Sequence, residues 1–166
     1  MTTTTPTPPT VDQLMAELSD LADPKILAVN ERHGDDHAVN LTSLRAVAKR
    51  IKKNQALARE LWATRDSAAR LLAILTCRPK EFSAAELDAM IRDARTRKVH
   101  DWLVNYVVMK GPHAEDLRLA WLADADPVVA SSWACCVTTR RRRTAPRRSL
   151  RRGSRRWSGA RRADAA

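Results

Sequence analysis

The chain has 166 residues, 44% apolar and 30% charged, enough for one domain with a real core. Its formal charge of +11 sits at one end: residues 1–136 hold 18 Lys and Arg against 18 Asp and Glu, whereas residues 137–166 hold the other 12 basic residues against Asp164 alone. No run of about 20 apolar residues exists to span a bilayer, and MTTTTPTPPT at the start lacks the basic and apolar parts of a secretory signal, so a cytoplasmic protein is expected.

Glycine occurs only four times, and valine and isoleucine never alternate as half-buried strands require, so the chain reads as helical. Residues 1–10, threonine and proline throughout, read as a flexible leader. Val11, Leu14, Met15 and Leu18 then share a helical face, and Asp23-Pro24 opens a second helix carrying Ile26, Leu27 and Val29. A polar link through His33 and His37 follows, with Thr42 or Ser43 expected to cap the next helix. In that helix Leu44, Val47, Ala48 and Ile51 recur on one side, while Arg45, Lys49, Lys52 and Lys53 occupy the other.

Asn54 restarts a helix through Leu57, Ala58, Leu61 and Trp62, and a third run places Ala68, Leu71, Leu72 and Leu75 together before Arg78-Pro79 ends it. Ser83 with Glu86 makes a capping box ahead of Leu87, Met90, Ile91 and Ala94. Val99, Trp102, Leu103, Tyr106 and Val107 form another apolar stripe, closed by Lys110-Gly111. Pro112 reopens a helix whose Leu117, Ala120 and Trp121 face inward, and Asp126-Pro127 begins a last one through Val128, Val129 and Trp133. Short links between helices predict a stack of antiparallel helix pairs over residues 11–136, faintly echoed in the similar surroundings of Trp62 and Trp121.

From residue 137 apolar periodicity stops and arginine dominates, so residues 137–166 read as a disordered basic tail. Its arginines, with Trp157 for stacking, suit a non-specific nucleic-acid arm. The same arginine, alanine, serine and proline mixture is what a GC-rich gene encodes when read out of frame, which predicts truncation or a frame shift after about residue 130. Cys77, Cys135 and Cys136 have neither disulfide nor zinc spacing, and are expected to be buried or incidental thiols. His33, His37, His100 and His113 lack metal-ligand spacing and are expected in surface or capping roles; Trp62, Trp102, Trp121 and Trp133 are expected to pack in the core. No metal or cofactor is expected.

The runs Asn40-Leu41-Thr42-Ser43-Leu44-Arg45-Ala46-Val47-Ala48-Lys49-Arg50-Ile51, Leu57-Ala58-Arg59-Glu60-Leu61-Trp62 and Val99-His100-Asp101-Trp102-Leu103-Val104-Asn105-Tyr106 resemble the DNA alkylation repair (AlkD-like) proteins over roughly residues 11–130. The resemblance implies an all-α, HEAT-like solenoid that cradles duplex DNA on a basic surface. It also implies, as in the family's active members, excision of alkylated purines such as 3-methyladenine and 7-methylguanine without metal or cofactor. Set on the family's Trp-Asp-x-x-Asp pattern, Asp101 falls at the catalytic carboxylate, Arg97 where the tryptophan is expected and Lys98 where the first aspartate is expected. The family's arginine on the following helix falls near Ser131.

On this reading Asp101 is the catalytic candidate, and Arg45, Lys49, Lys52, Lys53, Arg97 and Lys98 are the DNA-binding candidates. Each has a plainer counterpart: Arg97 and Asp101 at i, i+4 also suit a surface ion pair, and the lysines also suit an ordinary solvated helix face. A catalytically inert helical-repeat scaffold is the corresponding alternative function.

Overall fold

The computed structural model describes residues 9–133; the expectations for residues 1–8, the basic tail, Cys135, Cys136 and Trp157 lie outside the described residues. Among these residues the chain forms α1 (Val11–Asp20), α2 (Pro24–Glu31), α3 (Leu41–Ile51), α4 (Gln55–Ala63), α5 (Ser67–Thr76), α6 (Ala84–Asp93), α7 (Arg97–Trp102), α8 (Ala114–Leu122) and α9 (Pro127–Ser132). Short 3-10 turns lie at Pro79–Glu81 and Val108–Lys110.

Most of these helices begin where a side chain can accept an orphan backbone N–H. Asp23, Asn54, Asp66 and Asp126 cap α2, α4, α5 and α9, and Ser83 and Glu86 form the expected reciprocal box on α6. Two starts differ from expectation. Asn40, not Thr42 or Ser43, caps α3, its Oδ1 accepting from the Thr42 N–H at 2.8 Å, because the helix begins one residue before the polar pair. Thr10, the last residue of the apparent leader, caps α1 through a box with Gln13.

α5 is the centre of the molecule. Nine of its ten residues are buried, as befits a helix that is apolar on nearly every side. It packs against α4, α3, α7 and α1. α4 and α5 run antiparallel across the turn Thr64–Asp66, and the Asn54 N–H donates to the Thr76 carbonyl at 3.0 Å, closing the far end of the pair. The helices therefore lie in two layers. α3, α5 and α7 adjoin in one; in the other, Arg59 of α4 pairs with Glu86 of α6, and Asp88 of α6 accepts from the Trp121 indole of α8 at 2.8 Å.

The inward assignment of Ala120 is corrected: it is exposed, because the α8–α9 pair buries one side only, through Leu117, Trp121 and Val129. Val29 and Val128 are exposed as well. Trp62 and Trp121 are buried as expected, whereas Trp102 and Trp133 are only half-buried. The cause at Trp102 is a π-helical turn at Leu103–Val107, where the wider winding turns Leu103, Val104, Val107 and Val108 inward and leaves Trp102 and Tyr106 at the surface. Two histidines expected at the surface, His37 and His100, are buried. The His37 ring lies 3.0 Å from the Val39 carbonyl, while His100 Nε2 has no hydrogen-bond partner.

Candidate nucleic-acid interface

The outer side of α3 brings together the cations grouped by the sequence. Arg45, Lys49, Lys52 and Lys53, with Ala48 and Leu75, line one open cavity of about 330 Å³. None of the four forms an ion pair among the described residues. Their charge is unneutralised by protein carboxylates, which favours an anionic partner. Lys53 Nζ donates to the Leu75 carbonyl at 2.8 Å, near the negative end of the α5 dipole. Lys52 ends α3 with φ 64° and ψ −159°, a conformation that glycine adopts easily and lysine does not.

Arg45 links the cavity to α7. The Arg45 guanidinium lies 5.3 Å from the centre of the Trp102 ring, and the Trp102 and Tyr106 rings are 5.2 Å apart. Lys110 Nζ lies 5.1 Å from the Tyr106 ring. Lys110 and Lys53 also converge on Cys77, a buried thiol as expected: burial pushes its pKa up to about 11, and the two cations oppose that shift. Tyr106 and Lys110 were not among the sequence candidates, because Tyr106 fits an apolar stripe in the sequence and Lys110 reads as a helix stop.

The α7 candidates sit differently from one another. Arg97 Nε approaches Asp101 Oδ2 at 4.0 Å, the i, i+4 pair anticipated from spacing. The Asp101 side chain is 33% exposed, and its main-chain carbonyl accepts from Asn105 Nδ2 at 2.7 Å. Lys98 is engaged from another direction: Asp35, only 5% exposed in the α2–α3 loop, accepts from the Lys98 backbone N–H at 3.0 Å and pairs with Lys98 Nζ at 3.1 Å. Asp35 thus supplies from 63 residues away the capping bond that Thr96 does not make.

Among the described residues no cluster of three or more His, Cys, Asp or Glu is placed to hold a metal, and no helix is long and apolar enough to cross a membrane.

Comparison with known proteins adds to this geometry. The family model for the DNA alkylation repair enzyme matches residues 14–151. The chain also resembles a solved structure from a new family of proteins related to the HEAT-like repeat DNA glycosylases with affinity for branched DNA structures, at 27% identity and a TM-score of 0.71. That likeness covers 77% of this chain and 56% of the other, so this chain spans little more than half of that protein's length. No curated protein matches the chain.

Proposed function

Because the chain belongs to the DNA alkylation repair enzyme family, with an all-α, HEAT-like repeat fold, we propose that it binds DNA along the open face of α3, with Arg45, Lys49, Lys52 and Lys53 on the phosphates. The observation that carries this reading is that four cations line one cavity with no carboxylate partner among the described residues, whereas Arg59, Arg70 and Arg92 are each paired. Phosphate contacts of this kind release counterions and make affinity salt-dependent. Replacing Lys49, Lys52 and Lys53 by Gln in the full chain should lower the slope of log affinity against log salt on duplex DNA by about 3. An unchanged slope would move the binding elsewhere, to the arginine-rich tail first.

Base excision is the finer reading, with Asp101 as its catalytic carboxylate. Its partly exposed carboxylate precedes Trp102 in the chain and would stabilise positive charge developing on the sugar as an alkylated purine departs. The glycosidic bond breaks with its electron pair going to the cationic purine, which leaves neutral, and water adds to the sugar carbon, its proton passing through the Asp101 carboxylate to solvent. Arg97 and Lys98 are candidate phosphate contacts beside it, Lys98 only after release from Asp35. Release of 7-methylguanine from duplex DNA that disappears in Asp101→Asn, with binding retained, supports excision. No release from folded, DNA-bound protein leaves a binding scaffold.

A further inference from the structure

We propose that Trp102 and Tyr106 form a stacking platform for an unpaired nucleobase of the bound DNA, at the edge of the α3 cavity; this rests on the DNA-binding reading above. The π-helical turn fully buries Leu103, Val104, Val107 and Val108, while Trp102 gives only part of its surface to the core and Tyr106 stands outside it. A tryptophan used for packing in this protein looks like Trp121, which is fully buried with its indole N–H bonded to Asp88. Tyr106 instead is 37% exposed, and its hydroxyl has no hydrogen-bond partner among the described protein groups.

The order across the surface is cation, ring, ring, cation: Arg45, Trp102, Tyr106 and Lys110. Single-stranded nucleic acid presents the complementary order, flat bases separated by phosphates. The planar guanidinium of Arg45 can keep its face on Trp102 while its edge donates to a phosphate, which a lysine could not do. Within a duplex both faces of each base are covered by neighbours. A surface ring therefore accepts only a base freed from its stack, as at a bulge, gap, flap or branch.

The test uses the full chain and a duplex with one bulged 2-aminopurine, compared with the same duplex without the bulge. Wild type and Tyr106→Phe should quench the probe and prefer the bulged duplex about tenfold, equivalent to about 1.4 kcal/mol. Tyr106→Ala should lose both the quenching and the preference while keeping its affinity for the plain duplex. Tyr106→Leu, which keeps apolar bulk without a π face, should behave as Tyr106→Ala and carries the test if the alanine variant unfolds. Quenching and preference retained in a folded Tyr106→Ala or Tyr106→Leu protein would overturn the platform. Equal wild-type affinity for the two duplexes, with loss of salt dependence on replacing Lys49, Lys52 and Lys53, would overturn the platform alone. No effect of those lysines would overturn the reading beneath it.

Discussion

Paired charge and the open α3 cavity are two contrasting uses of charge in the molecule. Along α4, α6 and α8, Arg59 meets Glu86, Arg92 meets both Asp88 and Asp124, and Arg118 meets Glu115. These pairs hold Glu86, Asp88, Asp124 and Glu115 below the usual carboxylate range, through the Ser83 backbone first at Glu86 and through the arginine first at the others. Along α3 the four cations of the cavity have no such partner. Paired charge is neutralised within the fold; the charge of the cavity is held open for a ligand. The first should therefore govern stability, and the second should govern binding.

The largest effect tests the first half of that contrast. Arg70, 1% exposed, pairs with Asp93, donates to the Asp93 carbonyl at 2.7 Å and lies 4.8 Å from the Trp62 ring. Asp93→Ala leaves that guanidinium buried without its counter-charge and should lower unfolding free energy by about 3 kcal/mol in urea, with DNA affinity unchanged. Asp35→Ala comes next, at about 2 kcal/mol, because it removes the cap of α7 and the partner of Lys98 together. Asp35→Asn keeps an acceptor for the Lys98 N–H and should lose about half as much. If either alanine variant weakened DNA binding as strongly as the lysine replacements do, the division between paired and open charge would fail.

These residues also mark where the sequence was legible. The two sides of α3, the box on α6 and the proline starts of α2 and α9 depend on spacing within one helix, and the structure reproduces them. Arg70 and Asp35 depend on partners 23 and 63 residues away, so the first reads as an interruption in an apolar run and the second as one of many loop carboxylates. Trp102 and Tyr106 were misplaced for a different reason. A 3.6-residue period puts them with Val99 and Leu103, and only the wide turn after Trp102 separates the two groups. The grouping of the α3 cations was therefore readable, whereas the surface position of the two aromatics required the backbone.

A smaller effect depends on pH. Burial lowers the pKa of His37 and of His100 from the ordinary 6.5, against the opposing pull of the Val39 carbonyl, Asp35 and Asp36 on the first and of Asp101, the Ile91 backbone and Asp126 on the second; Lys98 adds to the lowering at His37. The unfolded chain thus takes up protons first as pH falls through 6.5. Stability is fully present above that pH and is lost below it, toward the lower folded values. The melting temperature should drop between pH 7.5 and 5, and His100→Gln should flatten the drop. An equal drop in His100→Gln and in the double variant with His37→Gln would place the acid sensitivity elsewhere.

The smallest effect places stability and binding in opposition at one residue. Lys52, at φ 64° and ψ −159°, and Arg65, at φ 64°, are the described non-glycine residues with positive φ. Lysine in the first conformation stores strain of about 1–3 kcal/mol, and glycine relieves it while losing about 0.5–1 kcal/mol to the freedom of its unfolded chain. Lys52→Gly should therefore stabilise the fold by about 1 kcal/mol and, in the same protein, reduce the salt slope of DNA binding by about 1. Arg65→Gly, in the α4–α5 turn and away from the α3 cavity, should stabilise by about 0.5 kcal/mol with the slope unchanged. A stabilised Lys52→Gly protein that kept its full slope would show that the strain at Lys52 serves the α3–α4 connection, leaving the phosphate contacts to Arg45, Lys49 and Lys53.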